Sequence, residues 1–164
     1  MNIAEFSAYL GAFIMKTILK PIALLFLSCV VHFTLAADVP ADAIAMVEKG
    51  LSYLEKNGKE ALVNEINNKN PDFIKGDIYL YVRGIDGVIL AHPINPKLIG
   101  KNMLELPDAD GKLYRKDILT LAKTKGKGWV DYRYNNPLTQ QVENKSTYIV
   151  KSGEIILEAG IYKK

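Results

Sequence analysis

The spacing of apolar residues along this chain changes period partway through. Ile44, Val47, Leu51 and Leu54 recur at intervals of three, four and three, which puts them on one face of a helix. Asp38 and Pro40 suit its start and Asn57-Gly58 its stop. A second helical stretch carries Leu62, Val63 and Ile66 and ends in the turn-forming segment Asn67 to Pro71. Beyond that point the period falls to two. The runs Ile78 to Val82 and Val88 to Ala91 are β-rich and flank Gly84-Ile85-Asp86-Gly87, whose Asp-Gly pair is a hairpin signal. A long loop from His92 to Gly111 holds Pro93, Pro96, Gly100 and Pro107. Tyr114, Ile118 and Leu121 then mark a short helix stopped by Gly126. Three strands follow, Gly128 to Tyr134, Lys145 to Lys151 and Glu154 to Tyr162, separated by Asn135-Asn136-Pro137 and Ser152-Gly153. Helices first and strands in sequence afterwards predict an α+β domain with an antiparallel sheet. There is no internal repeat and no low-complexity segment.

The first 37 residues stand apart from this pattern. Lys16 and Lys20 precede an apolar run from Ile22 to Val31, then Thr34-Leu35-Ala36-Ala37 and the polar Asp38. A basic region, a short apolar core and small residues at the boundary describe a secretory signal cleaved after Ala36 or Ala37. The run is shorter than the roughly 20 apolar residues that span a bilayer. Met15 is the expected translation start, which makes Met1 to Ile14 an upstream over-extension. The alternative is an uncleaved anchor in the inner membrane, since apolar character continues through Phe33 and Leu35. Cys29 follows Phe26-Leu27-Ser28, a poor lipobox because Leu27 is too large for its place. The mature domain is therefore expected over residues 38–164, in the periplasm.

Losing the leader changes the available chemistry. Cys29 and His32 go with it, leaving His92 alone and no thiol, so disulfides, cysteine zinc sites, cysteine nucleophiles and multi-histidine metal centres are excluded. No nucleophile–base pair is recognisable, and neither an enzyme nor a cofactor is expected. Asp108-Ala109-Asp110-Gly111 resembles the start of a calcium loop, but Lys112 and Leu119 occupy places that need oxygen ligands. It reads instead as a turn and helix-cap device. Net charge is +3 for 164 residues and falls to +2 once Lys16, Lys20 and Glu5 leave. That is too mild for a nucleic-acid binder, and the basic stretch Lys123 to Lys127 carries no interleaved aromatics.

Tyrosine is the outlier, with nine residues. Tyr132 and Tyr134 share one face of a strand, with Asp131 and Arg133 on the other. A cavity that orients a carboxylate uses hydroxyl donors, a cation and an apolar wall. Tyr132, Tyr134, Lys145, Tyr148 and His92 are candidates for that set, with Tyr81 on the first strand. Each tyrosine serves equally well as core packing, and Lys145 as a solvated cation. Pro93 holds His92 extended, where it either caps the strand end or meets a ligand. Arg133 is expected to pair with Asp131 at the surface, and stays a candidate because a bulge reverses strand alternation.

Asp86-Gly87-Val88-Ile89-Leu90-Ala91-His92-Pro93, Leu98-Ile99-Gly100-Lys101-Asn102, and Asp108-Ala109-Asp110-Gly111 occur in an order that resembles the single Cache domain, type 2. Gly128-Trp129-Val130-Asp131-Tyr132-Arg133-Tyr134 with Pro137, Lys145-Ser146-Thr147-Tyr148 and Glu158-Ala159-Gly160-Ile161-Tyr162 continue the resemblance, from about Ala41 to Tyr162. It implies a PAS-like extracytoplasmic sensor fold, with a long N-terminal helix on an antiparallel sheet of about five strands. It also implies a small organic acid as ligand, here a monocarboxylate of two to four carbons. Most such domains lie between membrane spans and feed a receptor, kinase or cyclase. This chain stops at Lys164 and so resembles the stand-alone secreted members without an output domain. A membrane receptor or kinase is then the expected partner, with a homodimer through the N-terminal helix. The alternative is an interaction or structural protein of the same fold whose pocket has closed.

Overall fold

The computed structural model describes residues 39–163, so the expected leader lies outside the described residues. Helix α1 spans Val39–Asn57 and α2 spans Lys59–Asn67, separated by Gly58 alone at φ 83°. A 3-10 turn (Pro71–Phe73) leads into β1 (Ile74–Lys75) and β2 (Ile78–Gly84), and β2 turns into β3 (Ile89–Ala91). After a 3-10 turn at Pro96–Leu98 come α3 (Tyr114–Thr124), β4 (Lys127–Asn135), β5 (Val142–Ser152) and β6 (Ile155–Tyr162). The sheet has six strands in the order β1-β2-β6-β5-β4, with β3 also on β2, and every pairing is antiparallel. The α+β class follows. The strand beyond the expected five is the two-residue β1, too short to leave a period in the sequence.

The helical stripe sits one residue from where periodicity put it. Ala43, Met46, Val47 and Gly50 are buried, whereas Ile44, Leu51 and Leu54 are half-buried. The reason is close approach to the sheet, because a Cβ on Gly50 would collide with Leu80 and touch Leu157. Small residues therefore face the strands and the larger ones flank them. This face of the sheet, built from Ile78, Leu80, Val82, Leu157, Ala159 and Ile161, packs with Leu62, Ile66 and Phe73 into the first core.

The opposite face carries a second core of Tyr114, Ile118, Ala122, Val130, Tyr132, Ile149 and Ile156, covered by α3. Helix α3 ends as expected: Lys125 and Gly126 both donate to the Leu121 carbonyl, and Gly126 takes φ 76°. The expected loop after His92 is tethered rather than free. Ile89 donates to the Lys101 carbonyl at 3.1 Å and accepts from Gly100 at 2.8 Å, so the loop folds back along β3. Asp108 braces its far end by accepting from the backbone of Asp110, Lys112 and Arg133. It is a turn device but not the helix cap, since Leu113 precedes α3 with no side-chain cap.

Candidate functional site

The second face of the sheet is polar where the first is not. Period-two alternation sends Tyr79, Tyr81 and Arg83 of β2 to this face, while Ile78, Leu80 and Val82 enter the first core. The register puts Lys145 opposite both Tyr132 and Tyr162, Thr147 opposite Gly160, and Tyr81 opposite Glu158. Tyr79, Tyr81, Arg83, His92, Tyr132, Tyr134 and Lys145 thereby line one cavity, roofed by Leu98, Met103, Tyr114 and Arg115. The space open to a water-sized body is about 20 Å³, room for about one water. Tyr79, His92 and Tyr134 also line a wider groove of about 280 Å³, where Ile94, Asn95, Pro137 and Gln140 form the outer rim.

Lys145 is the centre of this arrangement. Its side chain is only 2% exposed, yet its hydrogen-bond partners are two phenols, Tyr79 at 3.1 Å and Tyr162 at 3.3 Å. The ammonium lies 4.6 Å from the ring centres of Tyr79 and Tyr162 and 5.2 Å from that of Tyr134. Such a cage attracts a cation through the ring faces without neutralising it. Burial pushes Lys145 down from 10.5 to about 7, with Asp77 and Glu158 pulling weakly the other way. Gly160 makes the route possible, since a Cβ there would collide with Lys145 Cε and press on Thr147 Oγ1.

The second charged group is Arg83, also 2% exposed. Its Nε donates to Glu158 Oε1 at 2.6 Å and its Nη2 to Oε2 at 3.3 Å, and Glu158 is fully buried. Burial alone would lower the Arg83 pKa; the Glu158 carboxylate more than reverses that. Arg115 donates to the Leu106 carbonyl at 2.8 Å, with its guanidinium 4.3 Å over the Tyr114 ring. Arg83 and Glu158 cancel, so Lys145 and Arg115 leave the cavity positive. Tyr79, Tyr81, Tyr114, Tyr132 and Tyr134 all have raised pKa values, burial being the main cause, and remain neutral donors.

His92 caps the strand end and also stands on the cavity wall. Its Nδ1 accepts from the Asn95 backbone at 3.0 Å and its own amide donates to Asn67 Oδ1, which fixes the loop. The ring lies 5.2 Å from Tyr79 and 5.3 Å from Tyr81, on the cavity wall. Burial, then Lys145 and Arg83, lower it to about 4, so near neutral pH Nε2 carries the remaining proton as a donor.

Of the seven candidates from the sequence, Tyr81, His92, Tyr132, Tyr134 and Lys145 come together in the cavity. Tyr148 does not. Strand alternation sends it to the first-core side, where it packs on Trp129 with ring centres 5.2 Å apart. Arg133 also lies elsewhere, in a surface groove, with Nη2 on the Val142 carbonyl at 3.0 Å. Its guanidinium pairs with Asp110 at 4.0 Å and not with Asp131, which pairs with Lys163 at 2.9 Å. Tyr79 and Arg83 were missed although alternation from Tyr81 marks them. Tyr162, Tyr114 and Arg115 reach the site through register and a helix crossing that no local pattern encodes.

The site is thus a tyrosine-lined cavity with buried cations on one sheet face, roofed by a tethered loop, with the long helix α1 on the other face. The chain belongs to the Single Cache domain 2 family, whose model matches residues 40–161. Solved structures agree on the fold. A periplasmic sensor domain of a chemotaxis protein superposes with TM-score 0.60 at 19% identity, covering 76% of this chain and 90% of that one. A methyl-accepting chemotaxis protein from Vibrio parahaemolyticus gives TM-score 0.64 at 19% identity over 75% and 87%. A Cache chemosensory domain described as the structural basis for carboxylic acid recognition gives 0.59 at 23% identity over 76% and 88%. In sequence, the chain is 28% identical over 88 residues to the methyl-accepting chemotaxis protein McpP of Pseudomonas putida. That match covers 52% of this chain and 16% of the larger protein. Among the described residues no helix is long and apolar enough to cross a membrane.

Proposed function

We propose that this domain is a periplasmic binding module for a monocarboxylate of two to four carbons. The observation that carries the reading is Lys145, a buried cation caged by Tyr79, Tyr134 and Tyr162 with no carboxylate in contact. A desolvated ammonium is costly unless paired, and an entering carboxylate supplies the missing partner. Tyr79, Tyr134 and His92 Nε2–H are the neutral donors beside it, and Ile89, Leu98 and Met103 the apolar wall for a short tail. An entering acid would have to widen this narrow cavity toward the adjoining groove at Tyr79, His92 and Tyr134. Carboxylic acid recognition by a Cache chemosensory domain of the same fold supports the class of ligand. The module would hand its bound state to a membrane receptor or kinase, with α1 as the surface for a second copy.

The narrowness itself favours the second reading, a closed Cache fold that serves as an interaction protein. A thermal-shift panel of acetate, propionate, butyrate, pyruvate and lactate separates the two. Binding at a hundredfold excess over Kd stabilises the native state by about 2.7 kcal/mol, several degrees in Tm. A shift with at least one acid is expected. No shift with any of them would favour the closed-pocket reading.

A further inference from the structure

Strand β4 is the long open edge of the sheet. Among the described residues it pairs with β5 alone, over nine residues in unbroken register. The opposite edge ends in β1, only two residues long. Short strands, bulges and prolines are common means of blunting an edge, and β4 has none of them. Its odd-numbered residues turn their backbone groups outward: the Asp131 carbonyl accepts from Lys112 Nζ at 2.6 Å and the Arg133 amide donates to Asp108 at 2.9 Å. One step earlier, the N–H and C=O of Trp129 meet no partner among the described residues, and neither do the Lys127 carbonyl and the Asp131 amide. Asp108 and Lys112 thus close the edge beyond Asp131 and leave the stretch before it open.

The side chains along that stretch suit a copy of themselves. Lys127, Trp129 and Asp131 share one face of β4 and all are exposed, Trp129, the only tryptophan in the chain, by 37%. The basic stretch Lys123 to Lys127 has no part in the cavity, and none of its three lysines makes an ion pair among the described residues. Charge changes sign along the edge, basic at Lys127 and acidic at Asp131, with Asp108 and Asp110 beyond.

We propose that β4 pairs antiparallel with β4 of a second copy, about a two-fold axis through Trp129. The two Trp129 residues then exchange both backbone hydrogen bonds, and each Asp131 amide reaches the second copy's Lys127 carbonyl. Every cross-strand contact occurs twice. Lys127 lies opposite Asp131 on the same face, and the lysines of Lys123 to Lys127 run toward Asp108 and Asp110 of the other copy. A register centred on Lys127 or on Asp131 would set like charges against each other, and the second would also meet the Asp108 and Lys112 braces. This surface is separate from α1. Because Tyr132 and Tyr134 line the cavity from the same strand, the pairing would make the two cavities neighbours across one continuous sheet.

Sedimentation equilibrium and tryptophan fluorescence on the purified protein, from low micromolar to near-millimolar concentration, test the pairing. Wild type should dimerise, and its emission should shift to the blue in step, since Trp129 is the only indole and lies on the axis. Lys127→Asp and Asp131→Lys each replace two attractions by two repulsions and should weaken the dimer at least about tenfold. The double variant Lys127→Asp/Asp131→Lys exchanges the charges at unchanged net charge and should restore it. A protein that stays monomeric at every concentration would overturn the proposal. So would a dimer whose emission does not change, or one that both single reversals leave intact, results that would point to α1 instead. Failure of the double variant to recover dimerisation would overturn it as well.

Discussion

Replacing Lys145 with methionine should make the protein more stable and unable to bind acid. Below pH 7 the folded chain keeps an ammonium buried among tyrosine rings, and the unfolded chain keeps the same charge in water. The fall from 10.5 to about 7 corresponds, at about 1.36 kcal/mol per pH unit, to a destabilisation on the order of 5 kcal/mol. Between pH 7 and 10.5 the folded state sheds its proton while the unfolded state retains it, so stability from this group rises with pH across that window. Methionine fills a similar volume without a charge. It loses the hydrogen bonds to Tyr79 and Tyr162, worth about 1 kcal/mol each, and Tyr162 keeps its bond to the Asn135 carbonyl. At pH 6 Lys145→Met should therefore melt several degrees above wild type. By pH 9 wild type should recover about 3 kcal/mol of the difference, narrowing the gap by roughly 10 °C for a domain of this size. Groups that do not feel Lys145 act alike in both proteins and cancel, and His92, which Lys145 helps to hold down, matters only at the pH 6 point. Thermal denaturation of the pair at pH 6, 7.5 and 9 makes the comparison. A gap that does not change with pH, or a variant less stable than wild type at pH 6, would show that Lys145 is not held charged in a desolvated site.

Further outcomes follow from the same geometry. Gly160→Ala puts a methyl group where Lys145 Cε and Thr147 Oγ1 lie, so acid affinity measured by calorimetry should fall at least tenfold as the ammonium leaves Tyr79; unchanged affinity would mean that the cage tolerates a displaced lysine. His92, lowered from 6.5 to about 4, takes up its proton in the unfolded chain first, so stability should fall by up to about 3 kcal/mol as pH drops through that range. His92→Phe should flatten this slope in acid denaturation curves, whatever it does to the mean. Amino-terminal sequencing of protein from the source cell should begin at Ala37 or Asp38, and recovery of longer chain in the membrane fraction would favour the anchor.

The order of elements was legible because each depends on local signals: apolar spacing for the helices, Asp86-Gly87 and Ser152-Gly153 for tight turns, Gly126 for a helix stop. Faces were legible wherever alternation is unbroken, which is why Tyr132 and Tyr134 reach the cavity and Arg133 does not. The same rule applied along β5 separates Tyr148 from Lys145, three residues apart, and along β2 joins Tyr79 and Arg83 to Tyr81. What alternation cannot supply is register. That Lys145 faces Tyr162, and that Gly160 opens its path to Tyr79, depends on how β5 and β6 align. The buried stripe of α1 was misplaced by a residue because large apolar side chains outweigh Gly50 and Ala43 in any hydrophobicity pattern. Close helix–sheet packing selects the small ones instead.

The most direct test of the central claim is a crystal structure with the acid that gives the largest thermal shift. Its carboxylate should lie inside the tyrosine cage, with an oxygen about 2.7–2.9 Å from Lys145 Nζ, the range of a charge-assisted hydrogen bond. A carboxylate bound elsewhere, against Arg133 on the other side of β4 for instance, with Lys145 still contacting only Tyr79 and Tyr162, would contradict it.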